Sequence, residues 1–363
     1  MKIVKSIIVS FGIAVFATNA LAAPDNNDGV VGFIQTENHK LKRVKLEKVS
    51  PEEMKQFVKR LKKRKSAKAT VQPMRLYTAS TPSSVQLGMS NVPVLDQGSF
   101  GTCSTFSATA LLDALYAHGD YISQTCYLQM SGLWFQGGDV FQDIKNDGVF
   151  SKQYEADSGC SGLRHYPSFS DPNFWSSELS LMTNTRSSDS ETLYKQNSEK
   201  LFSDLTVNES TLFNPILHPE DGSLLDITKR ALVNGHRLQI GIFILSPIND
   251  EIHSTGLYGH YRTGGNVNDS WVLSDDIQKM ENEIQNTDGH APDVSSGGHA
   301  MVITGYDDNA IITDEQGKKH QGALTLRNSW GSEVGDRGDF YMSYDYFEFD
   351  VMVMDVVEVY LNT

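Results

Sequence analysis

Three side chains, Cys103, His299 and Asn328, have the types and surroundings needed for nucleophilic chemistry. A thiol attacks only as thiolate, and the positive end of a helix dipole favours that form. Cys103 follows the turn-rich loop Asp96-Gln97-Gly98-Ser99-Phe100-Gly101 and opens a run with helical periodicity. In that run Phe106, Ala110, Leu111, Ala114 and Leu115 share a side, and Gly119 is the expected end. The unpaired N–H groups of a helix start could hold a developing oxyanion, and the Gln97 amide could add a donor. His299 follows Ser295-Ser296-Gly297-Gly298 and starts the strand-like run Ala300–Tyr306. Asn328 lies in Arg327-Asn328-Ser329-Trp330-Gly331, where its carboxamide could fix the imidazole tautomer under cover of Trp330. Alone, Cys103 would also read as a buried cysteine at a helix start, and a satisfied structural histidine is the default reading of any one of the ten. Together they follow the logic of an activated nucleophile with a base and an orienting group.

The elements that must position these groups are uneven along the 363 residues. Lys2 and Lys5, the apolar run Ile7–Ala17 and Ala20-Leu21-Ala22 read as a cleavable export signal over residues 1–22, too short to span a bilayer. Export implies an oxidising compartment, periplasmic or extracellular, with a lysosome-like one also compatible. Of the three cysteines, pairing of Cys126 with Cys160 would leave Cys103 free; three unpaired buried thiols is the alternative. Residues 40–68 hold 13 basic and three acidic residues, whereas from Tyr77 onward there are 15 basic and 39 acidic ones. An exported chain seldom meets nucleic acid, so the basic segment is expected to face the acidic body instead. Pro51-Glu52-Glu53 opens a helix with Met54, Phe57, Val58 and Leu61 at helical spacing, and residues 80–90 read as an extended linker. Further helices are expected at 140–145 and 224–233. Strands are expected at 238–245, 300–306, 323–327 and 339–343. Helices first and strands later predict an α+β protein with two lobes.

The segments Gln97–Ser107, Gly298-His299-Ala300 with Gly305-Tyr306, and Asn328–Gly331 with Gly335 and Gly338-Asp339-Phe340 resemble the papain and cathepsin family, in its order. The resemblance spans about residues 82–346. It implies a papain-like fold, with a helical N-terminal lobe, an antiparallel β-barrel-like C-terminal lobe and the site in the cleft between them. It also implies Gln97 as oxyanion donor, Cys103 as nucleophile, His299 as base then acid, and Asn328 as orienter. Trp330 would border the leaving-group side, and Gly137-Gly138 would bind substrate in extended form. No metal or cofactor is implied. There are departures: Ser104 stands in place of the family's tryptophan, and Phe100 replaces a disulfide cysteine of many members. Cys103 and His299 are also 196 residues apart, with insertions placed at 165–221 and 246–296 and a hairpin around 307–321. The second insertion is expected either to border the cleft or to be a surface excursion.

The expected organisation is a signal at 1–22, a basic inhibitory propeptide at 23–80, a mainly helical lobe at 81–222 and a β-rich lobe at 223–363. The propeptide lacks the spaced Glu/Arg/Phe/Asn pattern of the common ones, and charge is expected to help it cover the cleft. The function expected is a secreted, monomeric cysteine endopeptidase made as a zymogen, acting on protein or peptide substrates, with no membrane anchor. Alternatives are a papain-fold acyltransferase, transglutaminase or deamidase, and a catalytically silent binding protein.

Overall fold

The computed structural model of the chain describes residues 29–67, 82–134, 139–168, 170–171, 174–183, 196–210, 223–349 and 352–361. The expected signal, the pair Gly137-Gly138 and the end of the expected propeptide lie outside the described residues.

The N-terminal segment is more than a basic helix. Strands β1 (Gly29–Gln35) and β2 (Leu41–Glu47) form an antiparallel hairpin before helix α1 (Pro51–Ala67). Val44 and Leu46 alternate inward along β2 and are fully buried, as are Phe57 and Leu61 of α1. Phe57 packs on Phe243 with ring centroids 4.8 Å apart. The expected linker contributes strand β3 (Ser84–Gln86).

The first lobe is built around helix α2 (Cys103–Tyr116), buried on nearly every side. Such a helix must satisfy its few polar groups internally: Ser107 Oγ donates to the Cys103 carbonyl at 2.8 Å and Thr109 Oγ1 to Thr105 at 2.9 Å. The helix stops at Ala117 in the left-handed conformation (φ 55°), two residues before the glycine the sequence suggested. Helices α3 (Gln124–Ser131), α4 (Val140–Asp147) and α5 (Lys152–Ser158) start on Ser123, Asp139 and Ser151, whose side chains accept the free N–H groups. A short α6 (Leu179–Thr183) follows. Cys126 and Cys160 form a disulfide, leaving Cys103 as the free thiol.

The second lobe is a strand array. Strand β4 (Leu205–Ser210) precedes helix α7 (Leu224–Val233) and strand β5 (Leu238–Pro247). The short β6 (Gly259–His260) and β7 (Ser270–Trp271) precede helix α8 (Asp275–Asn286). Then come β8 (Val294–Asp314), β9 (Lys319–Arg327), β10 (Asp339–Ser343), helix α9 (Tyr344–Phe347) and β11 (Val353–Leu361). Order β8-β6-β7-β10-β9 closes because β9 also pairs with β8, which gives the barrel; β5, β11 and β4 extend the sheet from β8. Pairing is antiparallel except for β7 with β10, a parallel contact. The architecture is α+β with two lobes. Strand β4, inside the expected helical stretch 81–222, pairs with β11. The insertion 246–296 is no surface excursion: it supplies β6, β7 and α8 and buries Tyr258, Trp271 and Val272 in the barrel core.

Candidate active site

Strand β8 is the pivot of the site. Its first half pairs with β5, setting His299 opposite Ile242, and its second half pairs with β9, setting Val302 opposite Arg327. Continuing that antiparallel register past Arg327 brings Trp330 opposite His299. The two rings stack with centroids 4.3 Å apart and planes 18° apart. The loop before α2 is clipped to the same segment. Gln97 N donates to the Ser329 carbonyl at 2.9 Å, and Gly331 N to that of Leu95 at 3.0 Å. The three sequence motifs therefore meet through backbone pairing.

Cys103 stands at the first turn of α2, fully buried. The Ala300 N–H faces its sulfur, which sets this part of β8 beside the thiol. His299 Nε2 lies 2.9 Å from Asn328 Oδ1, which also accepts the Ser329 N–H at 2.7 Å. That oxygen can only accept, so Nε2 carries the proton and the neutral ring keeps its acceptor lone pair on Nδ1. Nδ1 is buried without a hydrogen-bond partner. Burial holds the His299 pKa down at about 4, against the opposing pull of Asn328. Gln97 is fully buried; Ser329 Oγ donates to its Oε1 at 2.7 Å, fixing which way the amide faces. Its Nε2 donates to Phe100 O at 2.8 Å and to Lys45 O at 3.2 Å. Trp330 is buried over His299, and Trp271, from the insertion, lies 6.3 Å from it.

Strand β2 lies against this site. Glu47 bridges to Gly298, the residue before His299, and Leu46 lies against Gly297 so closely that a Cβ there would meet its side chain at 2.7 Å. Glu47 Oε1 accepts from Ser104 Oγ at 2.7 Å and from Ser104 N at 3.4 Å, and it also faces the Cys103 thiol. Burial, followed by the Glu47 carboxyl, pushes the Cys103 thiol well above its ordinary range. Burial likewise raises Glu47 above its ordinary 4.5. The Glu47 carboxyl thus lies beside the thiol, while His299 Nδ1 has no hydrogen-bond partner.

Sequence reasoning missed Glu47, Ser104 as its partner, and Ser329 as the clamp on Gln97. Glu47 had one signal: it is the lone acidic residue between Lys40 and Pro51. Most of the nine other histidines lie in polar stretches that suggest the surface, yet His320 is buried between Asp345, 2.6 Å away, and Asp314. His165, Asp171 and Glu178 are the group among the described residues whose potential metal-ligand atoms lie within 4.8 Å of one another.

Residues 261–361 match the model of the Peptidase C1-like family, a span that includes His299, Asn328 and Trp330. No curated protein matches the chain. Among solved structures, xylellain, a cysteine protease from Xylella fastidiosa, is 17% identical over 81% of this chain and 91% of its own, with a TM-score of 0.47. The bromelain protease from Ananas comosus, in complex with the E64 inhibitor, is 16% identical over 77% and 100%, at 0.41. Procathepsin B S9 from Trypanosoma congolense is 12% identical over 82% and 84%, at 0.43. The chain thus combines an α+β two-lobed architecture with a C-terminal segment, residues 261–361, that is similar to the Peptidase C1-like family.

Proposed function

We propose that the chain is the precursor of an exported cysteine endopeptidase, with Cys103 as nucleophile, His299 as base and acid, and Asn328 as orienter. The observation that carries this reading is the His299 Nε2–Asn328 Oδ1 pair at 2.9 Å, which leaves Nδ1 without a hydrogen-bond partner in the residue next to Ala300, whose N–H faces the buried Cys103 thiol. In the reaction, His299 Nδ1 takes the thiol proton and the sulfur attacks the peptide carbonyl carbon. The oxyanion accepts from Gln97 Nε2 and from the N–H groups that open α2. Collapse breaks the C–N bond, the leaving amine takes the proton from His299, and the acyl group stays on sulfur. Water then gives a proton to His299 and attacks the thioester. The acid product leaves, and the proton returns to sulfur.

The same reading makes residues 23–80 an inhibitory propeptide and residues 1–22 a removable signal. Support comes from the place of β2: its Lys45 carbonyl takes the Gln97 donor, and its Glu47 takes the thiol. A carboxylate beside the sulfur opposes thiolate, so the strand blocks the chemistry as well as the space. Among the described residues no helix is long and apolar enough to cross a membrane. The lobes would then be 81–222 and 223–363, with peptides entering where β2 lies.

The test is to incubate purified full-length wild type and Cys103→Ala with casein under reducing conditions across pH 4–8. Cleavage by wild type alone is expected. Equal cleavage by both, or none by wild type at any pH, would sink the assignment; amine incorporation without peptide hydrolysis would favour acyl transfer.

A further inference from the structure

Lys42 sits differently from the other lysines of the N-terminal segment. Its Nζ lies 2.6 Å from Asp96 Oδ2, 2.5 Å from Glu333 Oε1 and 2.8 Å from the carbonyl oxygen of Trp330. Three acceptors match the three N–H bonds of an ammonium. The Lys42 side chain is only 18% exposed, whereas Asp96 and Glu333 on the rim are 45% and 50% exposed.

The acceptors are held by parts of the fold other than Lys42. Asp96 Oδ1 accepts from Gly98 N at 2.8 Å, and Asp96 bridges to Trp330 across the clip that joins the nucleophile loop to the asparagine segment. Gly331, at φ 83°, makes the room: a Cβ there would stand 2.5 Å from Glu333 Oε2 and 2.8 Å from Lys42 Nζ. A glycine is needed twice over, for the left-handed backbone and for the space the cation takes.

The position is also telling. Asp96 and Trp330 are the chain neighbours of Gln97 and Ser329, so the cation lies at the edge of the cleft. Lys42 is three residues before Lys45, whose carbonyl reaches Gln97 Nε2. Three residues of extended chain cover about 10 Å. An extended peptide that puts a carbonyl at Gln97 can therefore put a long basic side chain at the same three acceptors.

We propose that Asp96, Glu333 and the Trp330 carbonyl form a subsite for a lysine or arginine of the substrate, occupied in the precursor by Lys42. This rests on the peptidase reading above. Once β2 leaves, two carboxylates face the cleft without their counter-charge, on a body with 39 acidic and 15 basic residues from Tyr77 onward. Such a surface draws basic peptides in, and the subsite fixes their register.

The experiment uses full-length protein incubated to constant activity. Internally quenched peptides carry a single lysine at each successive position, each matched by a peptide with norleucine, its uncharged counterpart. Wild type should favour lysine over norleucine at one position by about tenfold in kcat/KM. That ratio should fall severalfold in Glu333→Gln and to near one in Asp96→Asn/Glu333→Gln; Glu333→Gln changes a rim residue and guards against a misfolded double variant. Cleavage with no lysine preference at any position, or a preference unchanged in both variants, overturns the subsite while leaving the peptidase reading intact. Cleavage of no peptide at all removes the peptidase reading, and the subsite with it. A second arm reads the cation site without turnover. In Lys42→Ala, millimolar n-butylammonium should raise the thermal midpoint more than n-butanol does, and Glu333→Gln should abolish the difference. No difference in Lys42→Ala counts against the site.

Discussion

Ser329 and Ser104 show how much a site depends on hydroxyls that take no part in bond making. Ser329 Oγ holds Gln97 Oε1 at 2.7 Å, so the amide nitrogen, and not the oxygen, faces the Lys45 carbonyl, where the proposed oxyanion would lie. Gln97→Ala is expected to lower kcat/KM by about 10²-fold, and Ser329→Ala by roughly fivefold, as measured by initial rates on one peptide. An unchanged rate in Gln97→Ala would remove it from the oxyanion site. Ser104 donates to Glu47, so the residue at which the resemblance departs from a tryptophan ties the start of α2 to strand β2. Glu47 is raised above 4.5 chiefly by burial. A raised carboxyl stabilises the folded precursor fully below its unfolded value and loses that contribution as pH rises through the folded one. Between pH 5 and 8 the thermal midpoint of wild-type precursor should therefore fall relative to that of Glu47→Gln. Parallel curves for the two proteins would contradict this.

At the scale of elements, the N-terminal segment is built into the barrel rather than laid over it. Helix α1 places Phe57 and Leu61 in the same core as β5 and α8. Phe57→Ala should cost about 3–5 kcal/mol. The expected consequence is faster onset of casein cleavage by the full-length chain and a lower thermal midpoint; an unchanged onset would mean that α1 does not hold β2 in place. In the first lobe the disulfide Cys126–Cys160 closes a separation of 34 residues. Replacing both cysteines with alanine should lower stability by about 2–4 kcal/mol in urea unfolding, with Cys103 still free to react. The elements most legible in the sequence were those with one clean period. Helix 224–233 and strand 339–343 match their expected bounds, and α1 begins at Pro51 as its capping signals indicate. The hairpin β1–β2 escaped because its lysines and arginine alternate with apolar residues inside a run that reads first as charge. Helix α8 escaped because only Ile277, Met280 and Ile284 mark its buried side.

For the molecule as a whole, the charge asymmetry suggested a basic segment drawn to an acidic body and released by salt. The contacts that seat the segment are mostly buried and apolar, at Val44, Leu46, Phe57 and Leu61, with one half-buried ion cluster at Lys42. Raising salt to ~1 M, where screening acts beyond about 3 Å, should therefore change the onset of activity less than Phe57→Ala does. A greater effect of salt would restore charge as the main tie.

Legible in the sequence by itself were the candidate reacting groups and their order. Cys103 at a helix start, the glycine-preceded His299 and Asn328 before Trp330 are local patterns, legible within a few residues, although β8 begins at Val294 and not at the His299 expected to open it. The α+β architecture followed from the same local periodicities. What tertiary structure decided was everything that depends on distant residues meeting: Trp330 over His299 through the β8–β9 register, Ser329 on Gln97, Glu47 on the thiol and Lys42 between Asp96 and Glu333. Those pairs are 31 to 291 residues apart, and no local period relates them. The sheet register does, and only the folded chain sets it.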